Sequence, residues 1–364
     1  MQISVAIPTR NRLADLKECL DTLRVQTHPP DELIIVDNST NDEIEQYIKD
    51  WKGSAKFKCI YIKQTWGSIP SLRNTAIDNS NGDVVFFFDD DVVLDRDYIR
   101  TVTEIFVGDV NKEIGGITGL GGCDLKDIGT LGLGIPAEAK DIINSGGDLG
   151  QRLRALVLER YGKNIFEQSI ATHLLWRIIK WVRDIATTIF LMESPRKGKI
   201  IVSGFRSDFP RLPQSVPFVR IDTLPGYNMS FRKEVLDTFR FDKNLELFPN
   251  ANGEDQEFCM RVGKKYKLVA TSRAKCIHKR SPSARLDPSG QFASIVANYH
   301  YIVKKNMNHP INLACFWWAV SGVLLSRIVR LVFTPSKESW LSLVGTTRGI
   351  NLALKGKAEP IRDT

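Results

Sequence analysis

Three consecutive carboxylates, Asp89-Asp90-Asp91, stand between two apolar runs, Val84-Val85-Phe86-Phe87-Phe88 and Val92-Val93-Leu94. Five β-branched and aromatic residues in succession predict a strand buried on both faces. Unpaired carboxylates cannot follow it into the core, because desolvating even one costs several kcal/mol. They are therefore expected at the carboxyl edge of a sheet, where open α/β sheets bind ligands. An acidic cluster there can hold a divalent cation, and the cation can hold phosphate. A solvated acidic turn fits the spacing equally well.

A second acidic centre lies in Asn252-Gly253-Glu254-Asp255-Gln256-Glu257, which opens a predicted helix with Phe258 and Val262 on one face. Acids in a first helical turn are ordinarily explained by the helix dipole. Opposite a metal–phosphate centre, a carboxylate in this place can instead deprotonate an incoming hydroxyl, and Gly253 permits close backbone approach. His278 follows a predicted strand, Lys267 to Thr271. A lone histidine is ordinarily structural; an Asp cluster short of ligands makes metal ligation the competing reading. His28, His173, His300 and His309 have no such context.

The elements that must position these residues alternate along the first hundred positions. Strands are expected at Ile3 to Ile7, ended by Pro8, then at Glu32 to Val36, Lys58 to Ile62 and Asp83 to Phe88. Helices are expected at Leu13 to Leu23, Ile44 to Trp51 and Ser71 to Asn79. Such alternation gives a parallel, doubly wound sheet. Thr9-Arg10-Asn11-Arg12, Asp37-Asn38-Ser39-Thr40 and Asp89-Asp90-Asp91 then share one edge and point to a nucleotide site. A further strand runs from Ile114 and ends in Gly119-Leu120-Gly121-Gly122, a turn rather than a dinucleotide fingerprint. Gly226-Tyr227-Asn228-Met229-Ser230-Phe231-Arg232 follows Pro225 and precedes a helix starting near Lys233.

Composition allows a large core: 364 residues, 43% hydrophobic and 25% charged, so nothing suggests disorder. The net charge of +8 is uneven, with fourteen Lys and Arg residues and one acid, Asp287, between Phe258 and Lys337. That imbalance suits phosphate groups, anionic lipid or nucleic acid, or a merely solvated surface. The six cysteines form no CxxC pair, which argues against zinc. With no signal peptide before the first strand, reduced thiols in a cytoplasmic protein are expected. His173 to Phe190 reads as an amphipathic helix carrying Trp176 and Trp181, either packed on the domain or lying in a membrane interface. Ile311 to Ser326 is uncharged, and the apolar stretch runs on past Arg327 and Arg330 to Phe333. It falls short of a bilayer span, so surface insertion fits better, with Trp317 and Trp318 at headgroup depth. A helix closing over the sheet is the alternative.

Taken in order, these segments resemble glycosyltransferase family 2, the inverting enzymes of the GT-A fold. The matching pieces are Val5-Ala6-Ile7-Pro8-Thr9-Arg10-Asn11-Arg12, Ile35-Val36-Asp37-Asn38-Ser39-Thr40, Gly67 with Ser71-Leu72-Arg73-Asn74, Phe87-Phe88-Asp89-Asp90-Asp91, Gly226 to Arg232, and Gly253-Glu254-Asp255. They cover residues 1 to about 122 and about 223 to 280. The resemblance implies that Pro8, Thr9, Arg10 and Arg12 line the nucleotide, and that Asp37 and Asn38 approach the base. Many members carry a second Asp where this chain has Asn38, which leaves the choice of base open. It further implies Arg73 near the diphosphate, Asp90 near the ribose, and Asp89 and Asp91 holding Mg²⁺ or Mn²⁺, with His278 as a further metal ligand and Asp255 as the general base.

The implied organisation is an α/β, GT-A-type doubly wound mixed sheet. Residues 1–122 form the Rossmann-like, nucleotide-sugar-binding half. Residues 123–222 form a partly helical insertion, 223–285 the acceptor and catalytic half, and 286–364 a C-terminal helical, membrane-associating region. The implied reaction moves a sugar from a nucleotide-diphosphate sugar to a hydroxyl of a glycan or lipid-linked saccharide, at the inner face of the cell membrane, without nucleic acid as partner. A sugar nucleotidyltransferase should carry a Gly-rich loop after its first strand, and Pro8-Thr9-Arg10-Asn11 has no glycine. A non-catalytic membrane scaffold of the same fold would have no need of Asp89, Asp91 and Asp255.

Overall fold

A computed structural model of the chain describes residues 1–120, 185–192, 196–210, 212–213, 215–246, 252–279, 281, 287–307 and 309–356. Strand β4 (Val84–Phe88) is buried along its whole length. Its alternating side chains divide between two cores, Val84, Phe86 and Phe88 on one face and Val85 and Phe87 on the other. Strands β1 (Ile3–Thr9) and β2 (Glu32–Asp37) divide in the same way. Helices α1 (Leu13–Arg24), α2 (Glu43–Trp51) and α4 (Tyr98–Gly108) cover the first face. Helices α3 (Ile69–Asp78), α5 (Lys233–Thr238) and α6 (Glu254–Val262) cover the second. Each fully buried Phe contributes about 1.5–3 kcal/mol, so the continuous apolar runs that predicted strands also hold the three layers together.

The sheet has eight strands in the order β3-β2-β1-β4-β8-β6-β9-β7. The strands not yet named are β3 (Lys58–Lys63), β5 (Val92–Leu94), β6 (Ile114–Gly119), β7 (Val219–Ile221), β8 (Asn228–Arg232), β9 (Lys267–Thr271) and β10 (Cys276–His278). β1 to β4 pair in parallel, and so do β6 and β9; β8 runs antiparallel between β4 and β6. Strand order reverses between β1 and β4, which opens a crevice at their carboxyl ends. Pro8 lies inside β1 rather than ending it. β4 pairs with β1 only as far as Ala6, so the missing Pro N–H falls where only β2 is alongside, and costs no ladder bond on the β4 side. β5 and β10 form a separate antiparallel pair that carries His278 to the acidic triplet.

The segment Gly226 to Arg232 acts mostly as a bolt between the two halves of the sheet. Asn228 is fully buried, and its Nδ2 donates to Gly119 O at 2.8 Å. Arg232 donates to Ile114 O at 3.0 Å and to Phe106 O at 2.8 Å, and pairs with Asp109 at 3.1 Å. Only Gly226 and Tyr227 of this segment reach the crevice.

Three C-terminal helices follow: α7 (Pro288–Asn306), α8 (Pro310–Phe333) and α9 (Lys337–Lys355). Phe316, Ala319 and Val320 of α8 face inward. Its outer face, including Ile311, Trp318, Leu325, Ile328 and Val332, is exposed and apolar. Of the helix expected over His173 to Phe190, residues 185–189 are helical and those before 185 lie outside the described residues.

Candidate active site

The crevice brings Thr9 and the acidic triplet together. Thr9 Oγ1 donates to Asp90 Oδ2 at 2.8 Å, and Arg12 Nη1 donates to Oδ1 at 3.2 Å. Burial pushes the Asp90 carboxyl up to about 7, against the pull of Arg12. Asp91 turns towards β10, where its Oδ2 accepts from Ser281 N at 2.9 Å. His278 Nε2 lies 3.1 Å from Asp91 Oδ1. That pair is outside hydrogen-bond geometry, so Oδ1 is a buried oxygen without a donor. Burial acts to raise the Asp91 carboxyl, but His278 and the Ser281 N–H outweigh it and bring it below the usual range. Asp89 is the accessible member, with 31% of its side chain exposed and Arg73 at 3.5 Å. The enclosing walls raise its carboxyl, and Arg73 opposes them.

Asp89, Asp91 and His278 each bring a ligand atom within 4.8 Å of the others. Two carboxylate oxygens and one imidazole nitrogen suit Mg²⁺ or Mn²⁺. Asp91 Oδ1 is buried without an aligned hydrogen bond, and its 3.1 Å approach to His278 Nε2 suits two neighbouring ligands of one ion, which favours a cation here. The Tyr227 ring stacks on His278 with centroids 4.3 Å apart and so fixes the imidazole plane.

The second acidic centre meets the first through Arg73. This guanidinium is 2% exposed. Nη1 donates to Glu254 Oε1 at 2.7 Å, and Nη2 donates to Gly226 O at 2.7 Å while lying 3.5 Å from Asp89. Burial pushes the Glu254 carboxyl up to about 7, with Asp255 adding to it and Arg73 opposing. Asp255 Oδ2 accepts from Gly226 N at 2.9 Å and from Arg206 Nη1 at 3.0 Å, while Oδ1 accepts from Gln256 N at 2.8 Å. The Asp255 charge raises the Arg206 guanidinium still further.

Helix α7 sets the entry of α6. Gly253 caps α6 at φ +90°, and a Cβ there would lie 2.8 Å from Ile302 Cδ1. Gly253→Ala is therefore strained twice, by backbone and by contact. It should lower the urea midpoint by an amount equivalent to about 1–3 kcal/mol. An unchanged midpoint would mean that α6 enters the site differently.

Pro8, Thr9, Arg10, Arg12, Asn38, Arg73, Asp89, Asp90, Asp91, Asp255 and His278 all line one cleft of about 690 Å³. Asp37 is not among the lining residues. It is fully buried, with Oδ2 accepting from Tyr61 at 2.6 Å and from Lys63 at 3.3 Å, and Oδ1 accepting from Ser39 N at 2.8 Å. Sequence reasoning misses Phe205 and Arg206 from the segment before β7, and Phe292, Ile295, Tyr299, Val323 and Arg327 from α7 and α8, all of which line the same cleft. No motif marks them, because they belong to segments outside the resemblance.

A sequence profile of Glycosyl transferase family 2 matches residues 4–118. Those residues, about a third of the chain, are similar to glycosyltransferase family 2. Glycosyltransferase GlyA of Streptococcus pneumoniae is 29% identical over 101 residues, a match covering 28% of this chain and 14% of GlyA. Abequosyltransferase RfbV of Salmonella typhimurium is 31% identical over 138 residues, covering 35% of this chain and 39% of RfbV. The chain thus spans well under two thirds of the length of either relative. Among solved structures, a mannosyltransferase from Pyrobaculum calidifontis, crystallised with GDP-Man and Mn²⁺, superposes with a TM-score of 0.52 at 12% identity. That match covers 97% of this chain and 86% of the mannosyltransferase, and it shows a shared GT-A-type fold. The family 2 profile ends within β6, so Asp255 and the whole apolar wall of the cleft lie beyond it.

Proposed function

We propose that the chain is an inverting glycosyltransferase that moves a sugar from a nucleoside-diphosphate sugar to a hydroxyl of a glycan or lipid-linked saccharide. One observation carries this reading: Asp255 and the Asp89–Asp91–His278 cluster line a single cleft although the sequence separates them widely. Asp89, Asp91 and His278 would hold Mg²⁺ or Mn²⁺, which when bound neutralises charge on the donor diphosphate. Arg73 stands beside Asp89 and adds fixed positive charge on the diphosphate side. Thr9, Arg12 and Asn38 shape the nucleotide end, and Asp90, held by Thr9 and Arg12, faces the ribose. Asp255 accepts the acceptor hydroxyl's proton at its carboxylate as that oxygen attacks the anomeric carbon. Gly226 N–H and Arg206 hold the carboxylate in place. One base and one leaving group suffice for a single displacement, which inverts the carbon.

The test is release of nucleoside diphosphate from a panel of uridine, guanosine and thymidine diphosphate sugars with Mn²⁺. One donor should be bound and consumed in preference to the others. A panel in which no donor binds would overturn the reading.

The same reading places the protein on the inner face of the cell membrane through the outer face of α8. This 24-residue helix is long and apolar enough to cross a membrane, and 22% of its most apolar window is buried. Its inner face, however, packs against α7 and helps to wall the cleft, which favours lying at the surface. Between Pro288 and Lys355 there are seven Lys and Arg residues against one acid, Glu338, so an anionic bilayer is the complementary partner. The chain should sediment with anionic vesicles at low salt and be released as salt screens the charges. Leu325→Asp and Ile328→Asp should each weaken binding by about tenfold or more, as expected for losing one inserted apolar side chain. A wild-type chain that stays in the supernatant at low salt would remove the membrane from the reading.

A further inference from the structure

The cleft is divided by chemistry. Its donor half is polar and charged, while Phe205, Phe292, Ile295, Tyr299 and Val323 give the other half an apolar wall. One charge stands in that wall. Arg327 projects from α8 with its guanidinium 4.1 Å over the Phe292 ring. Three other cleft arginines each face an acid, Arg12 with Asp90, Arg73 with Glu254 and Arg206 with Asp255. Arg327 has no ion pair among the described residues, and its Nε is buried without a hydrogen-bond partner. Burial lowers its pKa, and Arg330 lowers it further, with no acid to counter them. A half-buried cation left in this state is costly unless an anion arrives to face it.

The surroundings narrow the choice of anion. A guanidinium fork suits the paired oxygens of a phosphate. On the outer face of the same helix, Leu325 and Ile328 are 49% and 43% exposed, so α8 carries apolar surface both in the cleft and on the outside of the protein. A free sugar hydroxyl or an uncharged glycan would leave both features unused.

We propose that Arg327 is the acceptor subsite for the phosphate of a lipid-linked saccharide, whose apolar chain leaves the cleft along α8. This rests on the glycosyl-transfer reading above and names its acceptor class. The phosphate sits against Arg327 and Phe292, and the saccharide then extends towards Asp255. The chain passes the exposed apolar residues of α8 into the bilayer surface.

The test uses the full chain with its donor half filled by Mn²⁺ and whichever nucleoside diphosphate the donor panel selects. Calorimetry then compares decyl phosphate, decyl glucoside and inorganic phosphate as probes. Decyl phosphate should bind at least about tenfold tighter than either, the expected worth of one charge-assisted contact or of a buried alkyl chain. Arg327→Gln should abolish the preference over decyl glucoside, and Arg327→Lys should restore part of it. Both variants should bind the nucleoside diphosphate as the native chain does, which also verifies that they fold. Equal binding of decyl phosphate by Arg327→Gln and the native chain would overturn the proposal. Inorganic phosphate matching decyl phosphate would also overturn it, since the site would then hold a free anion and no lipid. Those failures leave nucleotide binding intact and spare the glycosyl-transfer reading; absence of nucleotide binding in the native chain would sink both.

Discussion

Asp255→Asn will bind the donor nucleotide as the native chain does and turn over at least about 10²-fold more slowly, the ordinary worth of a positioned general base. The substitution keeps size and shape, removes the capacity to take a proton, and also removes the charge facing Arg206 and the acceptor facing Gln256 N–H. The residues proposed to bind the donor, on and beside β1, β4 and α3, do not depend on that capacity. Arg206 and Gly226 N–H both point at Oδ2, so the side chain stays oriented by the same contacts that hold it in the native chain. Steady-state kinetics with saturating donor, together with calorimetry of donor binding, separates the two effects. Glu254→Gln is the control. Its carboxylate is tied to Arg73 at 2.7 Å, and its loss should disturb donor affinity as well as rate. Near-normal turnover in Asp255→Asn would remove the base from this position and leave Glu254 as the next candidate.

Asp91→Ala should give a protein whose donor affinity no longer responds to Mn²⁺. Residues that merely orient a metal ligand cost about 10–100-fold in metal affinity when removed, so losing a ligand itself should cost at least as much. Calorimetry of the nucleoside diphosphate with and without Mn²⁺ reads this directly. An unchanged metal response would take Asp91, and with it His278, out of the site. The neighbouring Asp90, whose carboxyl burial pushes up to about 7, adds a pH signature in the native chain. A nearby cation favours its ionised form, so uptake of metal below that pH must release a proton. Metal affinity should rise as pH climbs towards about 7 and flatten above it.

Much of the donor half is legible in the amino-acid sequence. The strands at Glu32, Lys58, Val84 and Lys267 lie within a residue or two of their expected limits, because each is a short, largely apolar, β-branched or aromatic run. The acidic triplet stands where it has to stand, at the end of such a run. Several elements escape that reading, the short strands β7 and β10 among them. β5 is three residues long and is held by pairing with β10 and by burial of Val92 and Leu94 in the core. α4 is not among the expected helices. Asn228 to Arg232, which carries no strand pattern beyond five residues, is the antiparallel strand that joins the halves.

Local sequence determined which segments are strands, which loops share the carboxyl edge, and which carboxylates stand there, since period and apolar runs are properties of neighbours in the chain. Tertiary structure alone decided the rest. It turned Asp37 to Tyr61 and Lys63 while leaving Asn38 on the cleft. It set Arg206 against Asp255, and Arg73 between Glu254 and Asp89. It also laid the inner face of α8 along the cleft, so that a helix whose sequence reads only as apolar delivers to it one arginine with no acid partner among the described residues. Such pairings join residues far apart along the chain, and their strength depends on burial, which only the packed layers create.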